Sequence, residues 1–524
     1  MSPQQRSLVT LLGLAAVAAA VGLYAYYGVE KADQAEEKKK ELSDKLFAVE
    51  APEDKDRDKA KDGGGAPPAP DFTRVTVRAK GDTTVVEKQP DGTWRMTAPV
   101  KAAVDQYTLD ALTGQLKDGK VDQKVEDKPT DEDLQRYGLK EPQWTVEATA
   151  LVPDPKSPGG AKATRQVKLE GGIENAFNGS VYLRRDSDPA VYAASGGMRF
   201  NFEKSAYDLR DKQVLSVDEA KIQAIDVARP KGGWSLQRSE GTNAWKLTKP
   251  SAMDADGQTV INALGQLKGE RATAFVADSP EARKKDGLES PAVDATFTLQ
   301  GGDQVRLRLA KVSTGAPDAG GGTDRYYGLR EDKDGAVLAE LNASALGHLD
   351  KSADELRDKT VLQFKRDLVA ALQFKPQGGG PAIEVARDLS ATPDGGAPSA
   401  ESWTVTAPEK GPAKAWKVSS NLWTLSSLQA TAFGEESPKS WDKYGINDRS
   451  RQVVLQGAGG KPITALSVGS EVKGKPNTVY VRGSRNVVLE MDSARLSDFP
   501  QKVDDVLDKP PAPPPAPAGG KDGG

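Results

Sequence analysis

Residues able to do chemistry are few in this chain of 524 residues, and the shortage narrows the reading. There is one histidine, His348, in SALGHLDKSADELRDK, and no cysteine. His348 stands between an apolar pair and a charged helix, the setting of a surface or capping residue. A Ser-His-Asp arrangement would rest on that one imidazole, and a histidine-based metal site would need a second ring. Thiolate ligands, cysteine nucleophiles, disulfides and a lipoprotein anchor are excluded outright, and the lack of cysteine suits an oxidising compartment. The stretch GSEVKGKP (Gly469–Pro476) comes within one residue of a P-loop, but Pro476 stands where Ser or Thr must hold magnesium. Lying between ITALSVG and TVYVRG, it reads as a hairpin loop. DKDRDKAKDGGG (Asp54–Gly65) alternates aspartates like a calcium loop yet lacks the required glycine and closing glutamate, and lysines interleave. It reads as a solvated linker. The triplet RDK recurs at Arg210–Lys212 and Arg357–Lys359, read as helix-surface ion pairs or contacts between repeated units. No carboxylate pair is singled out. No catalytic residue, metal or cofactor is therefore assigned, and the chain is expected not to be an enzyme.

Charge excludes further classes. Lys+Arg 72 against Asp+Glu 76 leaves a net charge of -4, with no basic field for nucleic acid. Neither nucleic acid nor nucleotide is an expected partner. With 37% hydrophobic residues, 52 glycines and 34 prolines, packed modules must alternate with loop-rich material.

What the sequence does supply is repetition. WRMTAP (Trp94–Pro99) returns as WKLTKP (Trp245–Pro250) and as WTVTAP (Trp403–Pro408). Asp105 and Asp256 then stand where an N-cap would, ahead of Leu109, Leu112 and Leu116, and of Val260, Leu264 and Leu267, at helical spacing. The third copy has a looser counterpart in Leu422, Leu425 and Leu428. Next come RYGLKEP, KDGLESP and KYGINDRS, whose Gly138, Gly287 and Gly445 fit a helix end turning into a strand. Alternating WTVEATAL, VDATFTLQ and RQVVLQG follow, then the paired short runs around VYLRR, YYGLR and VYVRG. Hairpins around glycine turns precede each tryptophan. The tryptophan is expected to be the last bulky residue of its strand, packed on the helix, with the proline ending the ladder. The expected fold is α+β: three tandem modules, each an antiparallel sheet with one or two packed helices.

Ahead of the modules, Leu8–Tyr27 carries no charge, and twenty helical residues at ~1.5 Å rise span about 30 Å of bilayer. Tyr24, Tyr26 and Tyr27 sit at its far end, where rings favour the interface. An uncleaved anchor is preferred over a signal peptide cut after Ala18–Ala20, because the apolar run continues beyond. Residues 1–7 are then a cytoplasmic tip, 8–28 a transmembrane helix and 29–70 a stalk opening with a short charged helix. Modules 71–217, 218–365 and 366–508 follow, and 509–524 is a proline- and glycine-rich tail. GAPDAGGG (Gly315–Gly322) and SATPDGGAPSA (Ser390–Ala400) read as loop insertions.

The tryptophan phrase, the aspartate-led helix and the YGLxxP turn together resemble a bacterial family catalogued as domain-of-unknown-function family 4340. The resemblance covers residues 72 to about 508. It implies a single-pass anchored extracytoplasmic protein, encoded beside membrane components of ABC-type transporters related to those of gliding motility, and it carries over no catalytic residue. The expected role is a non-enzymatic scaffold or accessory protein of such a complex, held in the inner membrane with its bulk in the periplasm. The alternative is a binder of envelope polymers, peptidoglycan or polysaccharide, for which Trp144, Trp423 and Trp441 are the candidate exposed aromatics.

Overall fold

In WTVEATALVP every second side chain turns inward: buried and half-buried residues alternate without a break along the strand Trp144–Pro153. A strand with one apolar face needs a cover, and a helix with a matching stripe supplies it. The computed structural model describes residues 15–24, 26, 28, 31–49, 69–154, 161–185, 188–239, 244–314, 323–387 and 402–509. A helix α1 (Lys31–Asp44) leads into the first repeat. That repeat runs β1 (Asp71–Ala79), β2 (Asp82–Lys88), β3 (Trp94–Ala98), β4 (Ala102–Ala103), α2 (Gln106–Asp118), β5 (Gln123–Glu126), α3 (Asp131–Arg136), β6 (Trp144–Pro153), β7 (Lys162–Glu174), β8 (Val181–Arg185), β9 (Asp188–Ala194), α4 (Gly197–Phe202) and α5 (Ala206–Leu209). Its nine strands form one sheet in the order β4-β3-β2-β1-β6-β7-β8-β9-β5, and the second and third repeats reproduce that order strand for strand. Three tandem antiparallel-sheet modules with a few helices are thus the architecture. The chain divides into two compact units, 1–216 with 268–289 and 310–343, and 217–267 with 290–309 and 344–524, the middle repeat contributing to both.

The leucine stripes do what their spacing requires. Leu109, Leu112 and Leu116 of α2 are buried, as are Val260, Leu264 and Leu267 of the helix Gly257–Gly269, and Val418, Leu422 and Leu425 of the helix Ala415–Ser427. Each fully buried leucine contributes about 2 kcal/mol by leaving water. In the first core they join Val75, Val77, Val146, Leu169 and Leu183.

Two expectations are corrected. Trp94, Trp245 and Trp403 open their five-residue strands rather than closing them. Each stands opposite the last residue of the preceding strand: Lys88, Arg238 and Arg387. The prolines do follow the strands at once, each through a cis bond. Secondly, the segment 29–70 is not all stalk. It opens with the charged helix α1 as expected, but Leu46 and Phe47 are 3% and 4% exposed and belong to the first core.

Residues 15–24 are helical, while most of the rest of 8–28 lies outside the described residues. No helix among the described residues is long and apolar enough to cross a membrane. The linker 54–65, the insertions 315–322 and 390–400 and the tail beyond Lys509 also lie outside them.

Candidate functional site

Each repeat is completed by a strap of chain lying ahead of it. In the first repeat Leu46 N–H donates to Gly119 O (2.9 Å) and Val121 N–H to Asp44 O (2.8 Å). In the second, Val214 N–H donates to Glu270 O (3.2 Å) and Ala272 N–H to Lys212 O (2.8 Å). In the third, Val361 N–H donates to Leu428 O (3.0 Å) and Ala430 N–H to Lys359 O (2.8 Å). One arginine per repeat holds the strap's carbonyls. Arg185 donates to Ser43 O (2.8 Å) and Lys45 O (2.9 Å), Arg330 to Gln213 O (3.0 Å), and Arg485 to Asp358 O (2.6 Å) and Thr360 O (2.8 Å). Backbone carbonyls at a crossing of two segments need donors, and a planar guanidinium reaches two at once.

The RDK triplets belong to these crossings. The Arg210 guanidinium lies 3.7 Å from the centroid of the Phe275 ring, and that of Arg357 3.9 Å from Phe433. Each arginine ends one repeat and each phenylalanine belongs to the next. Burial lowers the pKa of Arg210 and also of Lys212, whose ammonium donates to Asp208 O (2.9 Å). Asp211 and Asp358 accept from Gln213 N–H (3.0 Å) and Thr360 N–H (2.8 Å), turning the chain into the strap. Of the two readings open for RDK, contacts between repeats is the one observed. The strap register puts Leu42 and Lys124 where the other junctions have arginine and phenylalanine. There the two residues line a cavity of about 500 Å³, shared with Lys45, Arg185 and Tyr192.

The third repeat differs on its outside. Trp416 and Trp423 are 69% and 61% exposed on the helix Ala415–Ser427. Seven residues apart, they share one face two turns from each other. Counting from the helix starts, Trp423 takes the place of Gly114 and Gly265, where an added Cβ would meet nothing within 4 Å. Trp416 takes the place of exposed Tyr107 and of Gln258. Packing demands neither ring, and exposed Ser419, Ser420 and Ser427 lie between and beside them. In the first repeat Phe177 and Phe200 are also exposed.

A family model described as Domain of unknown function (DUF4340) matches residues 94–244, 245–397 and 403–517. The chain belongs to that family. No curated protein matches it. Each DUF4340 match begins with its tryptophan phrase, so the family unit starts at β3 or its counterpart, and the first two matches take in the strap of the following repeat.

The repeat-defining residues of this DUF4340 chain hold the scaffold. Asp105 accepts from Thr108 N–H (3.0 Å) and Asp256 from Gln258 N–H (3.0 Å) and Thr259 N–H (3.2 Å), as N-caps do. Lys414 replaces them in the third repeat, gives no cap, and donates to Asp504 O (2.7 Å). Gly445 has φ +71, and a Cβ there would lie 2.7 Å from Ser470 N; Gly138, at φ +69, would meet Ile173 Cγ2 at 2.7 Å. Gly287 shares the left-handed backbone at φ +74. Trp245 and Trp403 are buried beneath the guanidinium groups of Arg238 (4.9 Å) and Arg387 (5.1 Å), and Trp94 packs half-buried on the first core.

The remaining candidates separate. Trp144 is wholly buried, its ring filling the space above Gly171, and Trp441 is half-buried with Arg482 over it (4.7 Å). Trp423 alone of those three lies open, and its neighbour Trp416 was not foreseen. His348 is half-buried on the short helix Ser344–Leu349. GSEVKGKP joins the strands Pro462–Glu471 and Thr478–Arg482, with Gly474 at φ +80 and no helix opening after Lys475. Among the described residues no group of three His, Asp or Glu stands where it could hold a metal ion.

Proposed function

We propose that this chain is a non-enzymatic, membrane-anchored extracytoplasmic scaffold, an accessory protein of an ABC-type transporter or gliding-related envelope complex. Its anchor is the segment 8–28, its location the periplasmic side of the inner membrane, and its partners the membrane subunits of that complex. The observation that carries the reading is the pair Trp416 and Trp423. Two large rings face water, Trp423 where the sister repeats carry Gly114 and Gly265 and Trp416 where they carry Tyr107 and Gln258, and a paired exposed aromatic face of this kind marks an interaction surface. Within the third repeat, the strap bonded at Val361 and Ala430 closes the module that presents that face.

The same rings favour a second reading, binding of an envelope polysaccharide by stacking sugar rings on the indoles. Crosslinking in intact native membranes, purification through a tag placed after Gly524 and mass spectrometry distinguish the two. The scaffold reading expects membrane subunits enriched well above an untagged control. Retention on isolated cell wall without any captured membrane protein would overturn it in favour of the polymer binder.

A further inference from the structure

We propose that the chain's own proline-rich tail, PPAPPPAPA (Pro510–Ala518), lies along the Trp416–Trp423 face as a polyproline II segment. The proposal rests on the reading that this face is a binding surface, and it names the ligand chemistry the face fits: a ridge of prolines.

Position is the first support. Lys414 N–H donates to Val506 O (2.7 Å) and Asp508 N–H to Pro412 O (2.9 Å), so the described chain ends beside the first turn of the tryptophan helix. Lys509, its last residue, is held by Asp504 (2.6 Å). Spacing is the second. Seven helical residues separate the two indoles by about 10.5 Å along the axis. Pro511, Pro514 and Pro517 recur every third residue, one full turn of polyproline II, and so form a single ridge with steps of about 9.3 Å. The two periods agree closely enough for successive ridge prolines to meet successive indoles. Reach is ample, since nine residues at ~3.1 Å extend about 28 Å.

Chemistry and the sister repeats agree with this. Between Pro510 and Gly520 the tail carries no charge and serines flank the indoles, while Lys417, 5.9 Å from the Trp416 ring centroid, is the charged neighbour that a docked proline must leave hydrated. Proline ridges bind aromatic surfaces because the segment is already extended and loses little entropy on binding. The first two repeats have no tryptophan pair on this helix face, and each is followed by a strap instead of a proline run. Tethering a few residues away supplies an effective concentration of about a millimolar, so a segment binding at roughly 0.1 mM in trans would keep the face about nine-tenths covered.

The test is fluorine NMR of the full chain labelled with 5-fluorotryptophan, resonances 416 and 423 being assigned by Trp416→Phe and Trp423→Phe. Removal of residues 510–524 is expected to move these two resonances alone and to raise their solvent-induced isotope shift. Millimolar PPAPPPAPA peptide added to the shortened chain should return both. The variant Pro511→Ala, Pro514→Ala, Pro517→Ala, which keeps the tail's length, should mimic removal. Resonances unmoved by removal, or a peptide without effect, would overturn the docking. Response to chitotetraose but not to the peptide would do so as well, while leaving the face a binding surface. Loss of the surface reading has a separate signature: Trp416→Ala with Trp423→Ala leaves capture of membrane subunits unchanged.

Discussion

Arg357 ends the second repeat and stacks on Phe433 of the third, which makes Arg357→Ala the sharpest probe of how repeats are joined. Its side chain is almost wholly enclosed, and its contact to Glu436 (2.5 Å) reaches a carboxylate that is 56% exposed. The exposed ion pair contributes at most about 0.5 kcal/mol. The desolvated stacking contributes about 1–2 kcal/mol. The sum is about 2 kcal/mol, a roughly 30-fold change in the opening of the strap. Hydrogen exchange reads that opening directly, at Val361 N–H, bonded to Leu428 O, and Ala430 N–H, bonded to Lys359 O. A repeat array need not unfold in one step, so local exchange is a better measure than a melting temperature. Arg357→Ala is expected to speed exchange at both amides about 30-fold. In a Phe433→Ala background the same change should cost about 1–2 kcal/mol less. Unchanged exchange at the strap, or an equal effect in both backgrounds, would refute the arginine–phenylalanine junction.

Size complementarity predicts a rescue in the first sheet. A Cβ at Gly171 would lie 1.8 Å from the Trp144 ring, whereas the second repeat pairs Val293 with Leu309 at the same place. Gly171→Leu should unfold the first repeat and Trp144→Val should cost about 3 kcal/mol, yet the double variant should fold within about 1.5 kcal/mol of wild type by circular dichroism and denaturation. Asp256→Ala removes a cap and should destabilise its helix by about 1 kcal/mol, while Lys414→Ala, at a position without a side-chain cap, should leave helix content unchanged. Burial, assisted by the Glu340 charge, raises the Asp286 carboxyl above its ordinary value. The folded chain therefore holds that proton more tightly than the unfolded one, and the resulting stability is full below about pH 4 and fades as pH rises through the raised value. Asp286→Asn should be more stable than wild type at pH 7 and no more stable at pH 3.5, as denaturant titration at both would show.

The repeat architecture was legible because its signals are local. Alternation in WTVEATALVP, the leucine stripe of α2 and the glycine at each left-handed turn all act within a few residues of themselves. The strap escaped notice because it acts at a distance. SDKLF before the first repeat is the counterpart of DKQVL and DKTVL, but more than twenty residues separate it from β1, against fewer than ten in the other two. Charges on both sides made Leu46 and Phe47 read as stalk. Trp94, Trp245 and Trp403 were placed at the wrong end of their strands because a bulky residue beside a strand boundary does not mark which side of that boundary it takes. Trp416 and Trp423 could have been paired from their spacing of seven, since Leu422 and Leu425 already fix the opposite face as the buried one.

The proposal that the third repeat presents the working surface is tested most directly by a benzophenone photocrosslinker placed at position 423, with position 265 as the matched control. The chain should end at Lys509 so that the tail cannot compete, and irradiation should be carried out in native membranes. An adduct with an integral membrane protein at 423 and none at 265 is the expected result. Adducts in equal yield at both positions, or none at 423, would contradict it.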